Sequence, residues 1–412
     1  MYQLSSVQEI LSFLGRKKNL IQILTGPRQI GKSTAAQQIG EKWEGEVLYV
    51  SADTPIPPGP EWIRHHWLRA RRVEAKQVLL VMDEIQKVSG WSEEVKSLWD
   101  EDRRLGQNTR VLLLGSSALL MQKGLSESLT GRFFLHRMRH WQFPEMSEAF
   151  GLNLEEWIYF GGYPGAPGYL KKFESSEAMK TPDTAAASFF EEEKEWKNYV
   201  RDSLIETVLS RDVLQMSQIT KPALLRHLFM LSTAYPSQIL SYNKMLGQLT
   251  DAGNTTTLSH YVRILHSAFL LSGIEMFRAG QRPKRGSSPK LVLWNNALIN
   301  AVSVRSYEKT RNDSEVWGRL VENAVGASLL NQLQSSPFEL YYWREKDREV
   351  DYILHAPNRT WAIEVKSSRM KNPHGLRRFL ELHPQAMPFI VGGSGMPLEE
   401  FFSTHAEDLF GY

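Results

Sequence analysis

Cysteine is absent from the 412 residues, which removes disulfides, thiolate zinc sites, iron–sulfur ligation and cysteine nucleophiles together. A reducing compartment suits such a chain. The 11 histidines contain no HExxH pair, and the adjacent His65 and His66 point different ways on a helix. These features argue against a zinc enzyme. No apolar run approaches the roughly 18 residues that span a bilayer, so a membrane-embedded protein is not expected. The opening MYQLSSVQEILSFLGRKKN places its basic residues after the apolar stretch, the reverse of a secretory signal. A cytoplasmic location is the expectation. The net charge of +3 is small, so a nucleic-acid partner has to be argued from local basic patches rather than from the sum.

What is present begins with length. At roughly 100 to 200 residues per domain, the chain predicts two to four domains. The run LIQILTGPRQIGKSTAAQQIGEKW reads as a strand from Leu20 to Leu24, a turn, and a helix that begins near Lys32. Its segment Gly26, Pro27, Arg28, Gln29, Ile30, Gly31, Lys32, Ser33 and Thr34 fits GxxxxGK[ST] with one residue beyond. In such a loop, backbone N–H groups cradle phosphate, the lysine reaches the outer phosphates, and the serine hydroxyl ligates Mg2+. ATP and Mg2+ are therefore the expected cofactors. A second buried strand, ending at Met82, is followed by Asp83 as the metal partner and Glu84 as the base that activates water.

A third strand, Val111 to Leu114, ends in Gly115, Ser116 and Ser117. Ser116 either senses the γ-phosphate or caps the helix after it, and the two roles are compatible. Arg132 is read either as a trans-acting arginine finger or sensor that meets γ-phosphate charge, or as a surface residue. Strands near 20–25, 46–51, 77–83, 110–115 and 133–138 alternate with helices, which gives an α/β domain with a mostly parallel sheet. One strand intervenes between the P-loop strand and the acidic one, and with Glu84 this fits the AAA+-like branch of P-loop ATPases.

The pieces GPRQIGKST, VMDEIQKV with Trp91, LLGSSALL, SLTGRF, HWQFPEMSEAF and FGGYPG resemble, in order, the bacterial and archaeal AAA-type ATPases that carry a C-terminal DUF4143 domain. That resemblance implies an ATP-binding fold, a winged-helix middle and a nuclease-like tail. Residues 171 to 190 depart from it as an added flexible stretch. The expected organisation is an ATPase domain at 1–165, a flexible stretch and connecting helix at 166–218, a helical winged-helix domain at 219–298, and an α/β restriction-endonuclease-like domain at 299–412.

From Lys221, three helical patterns with tight turns fit a helix-turn-helix, whose third helix begins at Thr255 and Thr256 and carries Arg263. A wing follows, in which Arg278, Arg282, Lys284, Arg285 and Lys290 occur with no acid after Glu275. Such a loop suits a phosphate backbone; the other reading is a protein-docking module whose charges only keep a loop soluble.

Farther on, the helix at 314–333 places Glu322 on a stripe with Gly318 and Gly326. A hairpin turning at Pro357 and Asn358 sets Asp351 opposite Glu364, close enough for one divalent ion, and Lys366 shares the face of Glu364. This set resembles the PD-(D/E)xK nuclease superfamily, with Asp351, Glu364 and Lys366 at its motif positions and Glu322 as the helical acid. The resulting expectation is an ATP-hydrolysing, DNA-binding protein with a metal-dependent nuclease-like domain, acting on duplex or branched DNA in processing, repair or defence, as a homo-oligomer. The alternatives are a remodeller of branched DNA, such as Holliday junctions, that does not cleave, and an ATP-gated switch that binds proteins.

Overall fold

Strand β1 (Ile21–Thr25) is buried at every position, as are β3 (Val78–Asp83) and β4 (Thr109–Gly115). Continuous burial of this kind belongs to central strands of a parallel sheet with both faces covered. In the computed structural model these strands join β2 (Glu46–Ser51) and β5 (Phe133–Arg137) in one sheet of order β2-β3-β4-β1-β5, with every pairing parallel. The structure describes residues 2–115, 121, 125, 128–170, 191–213, 219–249, 253–280, 287–366 and 374–411. Because β4 lies between β1 and β3, the loops after β1 and β3 leave the same edge of the sheet on either side of it.

Helices α1 (Ser5–Leu14), α2 (Lys32–Lys42), α3 (Pro60–Arg71) and α4 (Trp91–Leu105) accompany the sheet. Trp67, Trp91 and Trp99 sit in its main core cluster. Part of the basic content of α3 is structural: Arg71 Nε lies 2.7 Å from Asp102 Oδ1, and Trp67 Nε1 donates to Asp102 Oδ2 at 2.8 Å.

The chain divides into two compact units, Met1–Arg139 and His140–Tyr412. The expected first boundary near 165 thus falls earlier, because the segment after Arg139 satisfies its polar groups within the second unit. His140 N donates to Asn331 Oδ1 at 3.1 Å, and Gly162 N to Asn295 Oδ1 at 3.2 Å. Helices α5 (Phe143–Phe150) and α6 (Leu154–Phe160) belong with it. Residues 191–213 are helical, with π-type turns at Tyr199–Ile205 and Val208–Asp212. The added stretch 171–190 lies outside the described residues.

Next come α7 (Pro222–Thr233), β6 (Gln238–Ile239), α8 (Tyr242–Gln248), α9 (Thr255–Ser267), β7 (Leu271–Ile274) and β8 (Lys290–Leu293). The strands form a three-stranded antiparallel sheet of order β6-β8-β7, so three helices and a small sheet make the winged helix. Asn254 caps α9 by accepting from Thr257 N at 2.8 Å.

Helix α10 (Ser314–Gln332) starts at Asp313, whose carboxylate accepts from Glu315 N and Val316 N. It leads into the antiparallel strands β9 (Glu339–Glu345), β10 (Arg348–Ala356) and β11 (Arg359–Lys366). Helix α11 (His374–Leu382) and strand β12 (Met387–Gly392) follow, with β12 parallel to β11. At Gly326 the helix approaches so closely that an added Cβ would lie 2.4 Å from the Tyr352 hydroxyl. Among the described residues, no helix is long and apolar enough to cross a membrane.

Candidate functional site

The loop after β1 bends tightly against β5. A Cβ at Gly26 would lie 2.5 Å from Met138 O, and Gly31, at φ 94°, occupies the left-handed region that favours glycine. Gln29 also takes a positive φ, 57°. Pro27, Ile30 and Lys32 are buried, Arg28 and Thr34 are half-buried, and Ser33 is exposed where α2 begins. Lys32 Nζ donates to Gly26 O at 3.1 Å and Pro27 O at 2.6 Å, so its ammonium lies over the loop.

Across from it, at the end of β3, Asp83 Oδ2 accepts from Ser33 Oγ at 2.8 Å and from Tyr49 OH at 2.5 Å. Asp83 Oδ1 accepts from Glu84 N at 2.8 Å. Glu84 itself takes φ 54°, and its carboxylate accepts from Gln86 Nε2. A serine hydroxyl touching an aspartate gives hard oxygen donors at one point, which fits Mg2+. Burial, followed by the hydrogen bond to Asp83, pushes the Tyr49 hydroxyl well above its usual range.

Tyr49 was not among the residues expected here. The signal lies in the register: Ser51 pairs with Asp83 and Tyr49 with Val81, so Tyr49 shares the face of Asp83 one diagonal step away. Arg132 lies elsewhere. Its carbonyl accepts from Ile21 N at the start of β1, and the phosphate loop leaves the far end of that strand, about 16 Å away at ~3.3 Å per residue. Its guanidinium instead holds Asp100 with both arms, Nε to Oδ1 at 2.9 Å and Nη2 to Oδ2 at 3.1 Å. That separation stands against contact with a nucleotide bound by its own chain. Ser116 lies outside the described residues.

In the second unit, the hairpin pairs Tyr352 with Ile363 through to Ala356 with Arg359. Continued by one residue, this register sets Asp351 opposite Glu364, as the turn position predicts. Asp351 Oδ2 accepts from Val365 N at 2.7 Å, and Glu364 Oε1 accepts from Lys366 Nζ. Glu364 Oε2 is buried with no hydrogen-bond partner among the described residues.

Glu322 joins Asp351 through a residue that the sequence assigned to the wing. Lys290 is 0% exposed, and its Nζ lies 2.6 Å from Glu322 Oε1, 3.1 Å from Glu349 Oε1 and 3.8 Å from Asp351 Oδ1. It also donates to Asp351 O at 3.1 Å and lies 4.9 Å from the Tyr352 ring centroid. Asn323 holds α10 to β8, accepting from Leu293 N at 3.0 Å and donating to Leu293 O at 2.9 Å. Lys290 is therefore not a phosphate contact on the wing, because β8 turns it inward toward α10 and β10.

Oxygens of Glu322, Glu349 and Asp351 lie within 4.8 Å of one another, so Glu349 is the acid that sequence reasoning missed. Two residues before Asp351 on β10, it shares the face of Asp351, but the expected strand began at Val350 and left it outside, whereas β10 begins at Arg348. Burial, then the Asp351 charge, raises the Glu364 carboxyl to about 7. Burial also raises Glu322 to about 7, with Lys290 opposing and Asp351 adding to the rise. Burial alone would lower the Lys290 ammonium, but Glu322, Asp351 and Glu349 override it and hold the proton on.

On α9, Thr256, His260 and Arg263 are exposed and share a stripe, while Thr255 is half-buried. Arg282, Lys284 and Arg285 lie outside the described residues.

Comparison with known proteins divides the chain similarly. Residues 18–147 match the AAA domain family, residues 185–309 a domain of unknown function (DUF8612), and residues 317–399 a domain of unknown function (DUF4143). An uncharacterized protein of Mycobacterium bovis is 25% identical over 349 residues, which cover 84% of this chain and 69% of that one. One of Haemophilus influenzae is 20% identical over 413 residues, covering 94% and 92%. Among solved structures, a Walker-type ATPase of Pyrococcus abyssi is 12% identical with a TM-score of 0.49, covering 73% of this chain and 95% of that one. The RuvB Holliday junction branch migration motor of Thermotoga maritima is 16% identical with a TM-score of 0.33, covering 68% and 91%. Residues 18–147 thus match an AAA domain, and residues 317–399 a C-terminal DUF4143 domain.

Proposed function

We propose that the protein hydrolyses ATP and uses its second unit to hold DNA. The observation that carries the first part is the Ser33 to Asp83 contact of 2.8 Å at the C-terminal edge of the sheet, with Lys32 over the same loop. Backbone N–H groups of the loop and the Lys32 ammonium bind the outer phosphates. Ser33 and Asp83 hold the cation, and Glu84 accepts the proton of the attacking water. Bound Mg2+ supplies neutralisation of phosphate charge. Lys32→Ala is expected to abolish ATP binding measured by calorimetry; retained affinity in a folded variant rejects the assignment.

DNA binding rests on the winged helix and on the exposed stripe of Thr256, His260 and Arg263. These side chains present a hydroxyl, an imidazole and one fixed positive charge, the groups that meet phosphate and base edges.

A second reading, metal-dependent strand cleavage in the C-terminal unit, is favoured by Asp351, which neighbours the buried Glu364 and its lysine partner Lys366. End-labelled linear and four-way-junction DNA incubated with Mg2+ or Mn2+ tests it. Cleavage that disappears in Asp351→Ala supports this reading. Intact DNA that is nonetheless bound and rearranged with ATP leaves the remodelling function alone.

A further inference from the structure

The Glu322, Glu349 and Asp351 cluster is built around an ammonium rather than around open space. Lys290 is the first residue of β8, its backbone paired with Ile239 on one side and Ile274 on the other. One turn of contacts away, Asn323 ties Leu293 of the same strand to α10 with two hydrogen bonds. The strand is therefore seated from both ends, and the Lys290 side chain is delivered to a fixed point beside Glu322. At that point its Nζ is 2.6 Å from Glu322 Oε1 and 3.1 Å from Glu349 Oε1.

A divalent ion ligated by those oxygens would lie about 2.0 to 2.6 Å from each. Such a position overlaps the volume that Nζ fills, and two cations there would repel at close range. A wholly buried ammonium is stable only when paired and hydrogen-bonded, and these carboxylates with the Asp351 carbonyl supply both. Beside this set, the buried Glu364 Oε2 has no hydrogen-bond partner among the described residues. The neighbourhood thus retains acceptor capacity that the single positive charge of Lys290 does not satisfy.

We infer that Lys290 is a tethered cation that fills the centre of the Glu322, Glu349 and Asp351 cluster and keeps divalent metal out while β8 is seated. The centre of this acidic cluster is filled by a residue of the winged helix. This inference stands apart from ATP hydrolysis and DNA binding, and it is opposed to the metal-dependent cleavage reading for as long as β8 is seated.

Mn2+ binding followed by electron paramagnetic resonance on the full chain without nucleotide tests it. Wild type and Asp351→Asn are expected to bind the same number of ions. Lys290→Met is expected to gain one ion over wild type, and to lose it when combined with Asp351→Asn. Its unfolding midpoint should rise with Mn2+, by mass action on the folded state, whereas that of wild type should not respond through Asp351. An Asp351-dependent ion in wild type overturns the inference, as does a folded Lys290→Met that gains none. If Lys290→Met does not fold, the comparison of wild type with Asp351→Asn decides alone: equal binding supports the tethered cation and unequal binding rejects it.

Discussion

Asp83 carries hydroxyl hydrogen bonds from Ser33 and Tyr49 on one oxygen, although only Ser33 is written into the GxxxxGK[ST] pattern. The pattern is legible because phosphate binding demands glycine, lysine and a hydroxyl at fixed spacing within one segment. Tyr49 is not, because its partner lies on another strand and the contact depends on sheet order. Arg132 shows the same limit, since the arginine of TGRF reads alike at either end of a parallel sheet. Tyr49 donates to the oxygen that Asp83 would offer a cation, and a hydrogen bond to a charged group contributes about 1.5–3 kcal/mol. Part of that must be given up when a cation binds. Tyr49→Phe is therefore expected to tighten ATP binding about tenfold in Mg2+ and to leave it unchanged in EDTA. Equal affinities for the variant and wild type in Mg2+ would show that Tyr49 does not compete for Asp83.

The hairpin of β10 and β11 is the element whose register was most fully legible. A turn at Pro357 and Asn358 fixes every pair, and the observed pairing of Ala356 with Arg359 through Tyr352 with Ile363 follows from it. Lys290 defeated the same reasoning because a basic loop and the first residue of a buried strand look alike in sequence. Only the pairing of β8 with β6 and β7 turns that side chain inward. Within this element Glu364 is raised from 4.5 to about 7, chiefly by burial. Between those values the folded chain keeps a proton that the unfolded chain has released, so folding binds protons. Stability contributed by this group is full below the unfolded value and declines as pH rises through the window toward 7. Glu364→Gln, which cannot ionise, should flatten that decline. The check is the difference in urea midpoint between variant and wild type from pH 4.5 to 7.5: it should grow in favour of the variant as pH rises, and a constant difference would refute the raised carboxyl.

At the scale of the whole molecule, the order of the AAA and DUF4143 segments was legible, but the division after Arg139 was not. The motifs through FGGYPG run continuously with the ATPase, whereas His140 and Gly162 find their hydrogen-bond partners at Asn331 and Asn295, far along the chain. Local pattern carries no information about such long-range pairing. A net charge of +3 spread over 412 residues also means that the proposed DNA binding would have to draw on a local face. Arg263 is the exposed fixed charge on the α9 stripe. If it neutralises one phosphate, its removal should lower the slope of log affinity against log salt by about 0.9. Arg263→Ala is expected to weaken duplex binding most at low salt and to approach wild type as salt rises. Fluorescence anisotropy across a salt series measures both terms. Unchanged affinity and slope would remove α9 from the DNA face and favour a winged helix that docks protein.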